Sequence, residues 1–250
     1  MAYYTVAVEL AQRLLVIQGN VALAYYPAAC AAVSDRDTFT RLYLRTSRVV
    51  ALFTLPLALG LAMYAAPVLR VWVGEPFVVT SASLLRVVAL AYGAMALTAI
   101  PASAADALNR PEVAARYSVV GVGLNLVLAL ALIPPLGAVG AGWALAGNVV
   151  LQSPWFVRRV TRDLVGVPLL RYTREVLAEP LMPAAVTAMA LVAVLALGRS
   201  RGPTDLAIAM TVGGAAFSLA VRLLGTFDAE ERRFVAGLPG GRVLRWVVGQ

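Results

Sequence analysis

The stretch GVGLNLVLALALIPPLGAVGAGWALAGN, residues 121–148, decides how the chain is read. Two apolar runs flank a Leu-Ile-Pro-Pro-Leu-Gly turn at 132–137, and residues 117–133 hold no charged side chain. Hydrocarbon offers no water to backbone N–H and C=O groups, so such a run is stable there only as a helix that satisfies them internally. Pro134 and Pro135 are expected to stop the first helix, since neither donates a backbone hydrogen bond and each disfavours α geometry in the residue before it. Gly137, Gly140 and Gly142 leave room for the second helix to begin close against the first. The stretch reads as a membrane hairpin.

Composition extends that reading to the whole chain. Its 250 residues are 61% hydrophobic and 14% charged, with a mean hydropathy of +0.81. A soluble domain carries about 25% charged residues, so the deficit points to a polytopic membrane protein. All 21 basic residues are Arg, and His is absent. Imidazole triads, His-containing metal sites and imidazole proton relays are therefore excluded within the chain. The absence of Lys removes the GxxxxGK[ST] phosphate loop. No spaced carboxylate pair lies inside an apolar run to hold Mg²⁺. The expectation is a protein that is not an enzyme and needs no cofactor or metal. The single Cys30 forbids an intrachain disulfide and reads as a small helix-packing residue. The net charge of +8 does not indicate a nucleic-acid partner, because the arginines sit in short loops between apolar runs. The partner it indicates is the lipid bilayer.

Outward from the hairpin (about 113–133 and 138–157), further spans are expected at about 3–33, 47–66, 81–105, 181–198 and 205–224. The fold class is thus an all-α transmembrane bundle of about seven spans. It divides into a five-helix bundle over 1–160, a polar and interfacial segment over 161–180, an added hairpin over 181–225 and a tail over 226–250. Ala66-Pro67 closes the second span, and Trp72 marks an interfacial connection over 67–79. Ser81 is the expected N-cap of the third span, in which Gly93 and Pro101 are candidate hinge points. Between 158 and 180, arginines and carboxylates alternate with Leu164, Leu169, Tyr172 and Val176, a pattern suited to the membrane surface. The last hairpin turns at Gly198–Pro203.

Sixteen arginines fall on one side of this arrangement, in the loops at 34–48, 106–116 and 158–174 and at the C-terminal end. Arg70, Arg199 and Arg201 fall on the other, leaving Arg13 and Arg86 within spans. The arginine-rich side is expected to be cytoplasmic, together with the C-terminus. Seven spans then start the first helix outside. Met1-Ala-Tyr-Tyr has no basic signal-peptide region, so further chain is expected upstream.

Several pieces, taken in order, carry a family resemblance: Tyr4-Thr-Val-Ala-Val-Glu-Leu-Ala, Tyr26-Pro27, Ala66-Pro67-Val-Leu-Arg-Val-Trp-Val-Gly74, Leu108-Asn-Arg-Pro111, Leu124-Asn-Leu126 and Leu132-Ile-Pro-Pro-Leu-Gly-Ala-Val-Gly-Ala-Gly142. Over about residues 3–160 the chain resembles the C-terminal half of the polysaccharide and oligosaccharidyl-lipid flippases of the multidrug/oligosaccharidyl-lipid/polysaccharide transporter superfamily. The last two spans look like the extra helix pair of some members. The resemblance implies one lobe of a two-lobe transporter that rocks about a central cavity. It also implies a bacterial inner-membrane location and a polyprenyl-pyrophosphate-linked glycan as cargo. The N-terminal lobe is missing from this stretch and would come from an upstream frame or a separate chain.

A pyrophosphate cargo would suit cations inside the membrane, where charged side chains mark functional positions. Arg13 and Arg86 are the candidates for binding it. For Arg13 the competing reading is an ion pair with Glu9, four residues earlier; for Arg86 it is snorkelling to the interface. Gln18 and Asn20 in the first span, with Asn125, Asn148 and Gln152 in the central hairpin, are expected to line the cavity or to hydrogen-bond between helices. Glu9 and Asp106 are the only acidic candidates for ion coupling, and Asp106 reads equally as a helix-end charge. Two other functions fit the sequence: a non-transporting split or truncated subunit, and a drug–cation exporter of the same superfamily.

Overall fold

The computed structural model of the chain describes residues 2–197 and 203–224. The Gly198–Gly202 part of the last turn, with Arg199 and Arg201, and the predicted tail over 226–250 lie outside the described residues. All regular structure among the described residues is helical. Six helices are long and apolar enough to cross a membrane: Tyr3–Ala32, Arg36–Met63, Ser81–Ala107, Pro111–Leu136, Leu169–Leu197 and Pro203–Leu223. The fifth expected span forms as a 21-residue helix, Ala138–Arg158. It is not among the six, because Asn148, Gln152, Ser153 and its glycines dilute its apolar character.

The first span is two helices, α1 (Ala2–Gln12) and α2 (Leu15–Ala32), joined by a turn at Arg13-Leu14. Asp35 caps α3 (Arg36–Met63) by accepting hydrogen bonds from the backbone N–H groups of Asp37 and Thr38 and from the Thr38 hydroxyl. A corner at Tyr64 leads into α4 (Ala65–Trp72), so the expected closure at Ala66-Pro67 falls three residues early, and Pro67 sits in the first turn of the new helix. Gly74, at φ 96°, caps α5 (Glu75–Ala96), which places Pro76 in its first turn. Ser81 is therefore not an N-cap. It lies inside α5, and its hydroxyl donates to the Tyr3 carbonyl at 2.9 Å, fixing α1 alongside α5.

Helix α5 runs through Gly93 without interruption and breaks at Leu97-Thr98, before α6 (Ala99–Ala107). The cause is Pro101, whose ring occupies the place of the Leu97 carbonyl's usual partner. The Leu97 and Thr98 N–H groups tighten onto Ala94 and Met95 carbonyls instead. Of the two expected hinge points, Pro101 thus lies at a break. Gly93 lies where α3 and α5 approach most closely, a methyl there overlapping that of Ala58.

The hairpin of α7 (Pro111–Leu136) and α8 (Ala138–Arg158) forms as read, with one correction. Pro134 and Pro135 do not stop α7 but lie in its last turn; they supply no donor to the Leu130 and Ala131 carbonyls, and the helix continues past them to Leu136. Gly137, at φ 59°, ends the helix. A methyl at Gly140 would run into the Leu132 carbonyl, and one at Gly142 would come 2.7 Å from Leu84 Cδ1 of α5. Gly140 thus sets the closeness of the hairpin, and Gly142 that of α8 to α5.

After α8 the chain winds through wider π-type turns (Arg159–Val165), reverses at Gly166 (φ 82°) and climbs through α9 (Leu169–Tyr172) and a second π-type stretch (Thr173–Ala178) into α10 (Glu179–Leu197). Val160, Thr161, Val165, Val167, Tyr172 and Val176 are buried, so this segment packs on the bundle with only its charged side outward. Arg48 of α3 pairs with Glu179 at 2.7 Å, and Leu191 of α10 wedges between Gly60 of α3 and Gly213 of α11 (Pro203–Leu223).

Two large apolar cores follow among the described residues, with smaller clusters where α10 and α11 meet the rest. One gathers Tyr25, Phe39, Tyr43, Ile100, Phe156 and Val176 at the end bearing the 33–35 turn. The other gathers Ala7, Ala58, Leu69, Leu84, Leu85 and Val88 at the opposite end. Arg36 lies against Gly166, so the arginine-rich loops at 34–48 and 158–174 share one end of the bundle. Helix α7 has almost none of its surface buried: Val119, Val122, Leu126, Val127 and Leu130 are all exposed. Such a helix is stable only in lipid or against further protein.

Candidate functional site

Polar side chains within the spans collect in three places. The first is the α1–α2 turn. Leu14 and Val16 bond back three residues instead of four, to Ala11 and Arg13 carbonyls at 3.1 and 3.2 Å, which tightens the helix locally. Arg13 stands exposed on this turn, and Gln12 donates to the Tyr92 hydroxyl at 3.0 Å, tying the turn to α5. Glu9 is exposed one turn earlier, and among the described residues no ion pair joins it to Arg13. Along α2 the buried face is Val21, Tyr25, Ala29 and Ala32. Gln18 continues that face, and its Oε1 is buried without a hydrogen-bond partner; Asn20 falls off it and is exposed.

The second place is the α7–α8 hairpin. Gln152 is buried and donates to the Tyr117 carbonyl, in space left by Gly121. The Tyr117 hydroxyl meets Ser153 at 3.2 Å, and its ring stacks on Phe156 at 4.2 Å. The same antiparallel register sets Asn125 opposite Asn148, one layer further along. Both are half-buried, each with an Oδ1 that is buried and has no partner. Gln152 is thus an interhelical hydrogen-bonding residue, while Gln18, Asn125 and Asn148 each keep an unused acceptor.

The third place is a cleft of about 390 Å³ between the α3–α4 corner, α5 and the adjoining ends of α10 and α11. Tyr64, Arg70, Arg86 and Asp205 supply its polar wall; Val194 and Leu195 are part of its apolar one. Arg86 lies three turns into α5, off the buried face formed by Leu84, Leu85, Val88 and Ala89. Arg70 donates from Nε and Nη2 to Glu75, a pair that holds its guanidinium charged and raises its pKa. Its Nη1 is buried with no hydrogen-bond partner. Leaving such a donor unmade costs about 1–3 kcal/mol, so an acceptor in the cleft would be welcome.

The structure does not bring Arg13 and Arg86 to one point. Helix α1 runs parallel to α5, with Tyr3 beside Phe77 (4.7 Å between rings) and Gln12 beside Tyr92. Arg13 is therefore level with Gly93, roughly 10 Å along the axis from Arg86 at 1.5 Å per residue, and it does not line the cleft. Asp106 is exposed near the end of α6, remote in sequence and fold from Glu9. Among the described residues no three His, Cys, Asp or Glu side chains come together to hold a metal ion.

Sequence reasoning missed Arg70, Tyr64 and Asp205 as neighbours of Arg86. The only local signal was the Arg70/Glu75 spacing across the Gly74 turn. It also missed the buried contact of the Tyr43 hydroxyl with Thr161 at 2.7 Å, which joins residues 118 positions apart.

Comparison with known proteins fits this architecture. Residues 1–82 match the sequence family described as Polysaccharide biosynthesis protein. A Shigella flexneri protein named "Putative O-antigen transporter" is 25% identical over 153 residues, which are 61% of this chain and 36% of that protein. The chain is similar to both over part of its length. It is a multi-pass membrane protein that spans little more than a third of the length of the relative it matches. The matched segment 1–82 holds α1 to α4 and the start of α5, and so includes Arg13, Gln18, Asn20 and Arg70 but not Arg86.

Proposed function

We propose that the chain is the second lobe of an alternating-access transporter that moves a polyprenyl-pyrophosphate-linked glycan across the bacterial inner membrane, with its arginine-rich end and C-terminus in the cytoplasm. Arg13 carries this reading. It is a guanidinium at the interruption of a membrane helix, inside the segment that matches polysaccharide biosynthesis proteins. A charge at such a position is costly in lipid and gains by facing an anionic partner. Gln18, Asn20, Asn125 and Asn148 provide polar groups on neighbouring helices for the sugar. The exposed apolar face of α7 and the length of the Shigella flexneri relative support a companion lobe, in the same or a separate chain, completing the cavity.

The test is complementation of a strain lacking its own lipid-linked glycan transporter, with surface glycan as the readout. Arg13→Ala should abolish export while the amount of protein in the membrane stays unchanged, and Arg13→Lys should restore part of it. Full export by R13A would end this assignment. Export of an organic cation, with no dependence on lipid-linked glycan, would favour an exporter of the drug–cation class instead.

A further inference from the structure

We propose that the cleft between the α3–α4 corner, α5 and the α10–α11 pair is a phosphate-binding site of its own, built for a singly charged phosphodiester and separate from the surroundings of Arg13. It does not depend on the transport reading. Its volume of about 390 Å³ accommodates a headgroup but not a long glycan.

Three features point to this chemistry. Arg86 reaches the cleft from the middle of a membrane helix, and among the described residues no hydrogen bond or ion pair engages it. Arg70, held in place by two bonds to Glu75, offers a buried Nη1 without an acceptor. Guanidinium groups recognise phosphate oxygens through just such directed N–H donors. The charge of the cleft then selects the anion. Glu75 offsets Arg70, and Asp205 lines the cleft together with Arg86, so the formal charges of these four side chains cancel. Each further negative charge on a ligand is then uncompensated, so a monoanionic diester is favoured over a dianion or pyrophosphate. Val194 and Leu195, from the membrane helix α10, give such a diester an apolar wall beside its charge. Phospholipid headgroups have this chemistry, and free phosphate shares part of it.

Native mass spectrometry of the full chain, released from detergent micelles, tests the proposal with phosphatidylglycerol, diacylglycerol and inorganic phosphate as probes. Phosphatidylglycerol should be retained and uncharged diacylglycerol should not. Arg86→Gln should weaken retention about tenfold, and Arg86→Lys less. Arg13→Ala should leave retention unaltered, which separates this site from the proposed cargo site. Displacement of the lipid by millimolar phosphate, part of which is monoanionic at neutral pH, or binding of phosphate alone with the same Arg86 dependence, supports the site and identifies free anion as a source. Lipid retention without displacement supports it with the lipid as source. Equal retention by R86Q and the unaltered chain, or equal retention of diacylglycerol and phosphatidylglycerol, would overturn it.

Discussion

Substituting Gly93 by Ala isolates a close approach between two membrane helices, α3 and α5. The added methyl would overlap the Cβ of Ala58, and both groups are fixed to helical backbone, so no rotamer change can relieve the clash. Carbon atoms need about 3.5–4.0 Å, so α3 and α5 must separate. Overpacking of this kind costs about 1–3 kcal/mol, and rigid partners place it near the upper end. Replacing Gly by Ala in a helix returns about 1 kcal/mol, leaving G93A about 2 kcal/mol less stable. Ala58→Gly alone should lose about 1 kcal/mol of helix propensity and a little buried surface. In the double variant the overlap vanishes and the two propensity changes cancel, so stability should return close to that of the unaltered chain. Thermal melts in detergent, or unfolding in mixed micelles, would measure the cycle. Additive losses would show that α3 and α5 do not touch at Ala58 and Gly93, and the interior argued from them would be wrong. If Gly93 served as a hinge in transport, A58G/G93A would be stable yet inactive, so export assayed alongside stability tells the two roles apart.

Other glycines and one carboxylate extend the test. Gly140→Ala meets the Leu132 backbone and should destabilise the hairpin strongly, whereas Gly147→Ala, 3.2 Å from the mobile Leu128 Cδ1, should cost little. Gly123→Ala meets nothing and should be neutral or stabilising by up to about 1 kcal/mol; the order of the three melting temperatures checks the α7–α8 register. At the start of α3, hydrogen bonds from the Thr38 hydroxyl and then the Thr38 and Asp37 N–H groups hold the Asp35 carboxyl below its ordinary pKa. Its contribution is complete above the unfolded value of about 3.9 and fades as pH falls through the lower folded value. Asp35→Asn keeps a capping side chain without the titration, so the gap in melting temperature between the unaltered chain and D35N should narrow between about pH 5 and pH 3. A gap constant with pH would show that the cap does not depend on the carboxylate.

What could be read from the sequence was whatever depends on one helix at a time. Uncharged runs of about twenty residues cross hydrocarbon wherever they occur, so spans such as 113–133 needed no neighbour to be recognised. Positions that depend on a partner were misplaced. Ser81 has the chemistry of an N-cap, but Gly74 and Pro76 start the helix six residues earlier, and the hydroxyl serves Tyr3 instead. Pro134 and Pro135 have the chemistry of a stop, but α7 runs on through both to Leu136, and Gly137 ends it. Gly93 could have been a hinge or a contact, and only Ala58 on another helix decides which the packing favours.

The two membrane arginines show the same limit from the side of function. In sequence they read alike: each is a cation within an apolar run, and one anionic cargo would serve both. Placed in the fold, they differ in company. Arg13 stands on a tightened turn with amide side chains along the next helix, a setting open to whatever moves past that face. Arg86 shares a confined cleft with a second guanidinium and a carboxylate, a setting that holds one small group still. A site that passes cargo on gains from weak, spread-out contacts, because a tightly held intermediate state slows release. A site that retains a lipid gains from enclosure. If both arginines acted on the same cargo, removing either would impair export and lipid retention together; independent loss of the two properties in R13A and R86Q is the pattern this geometry requires.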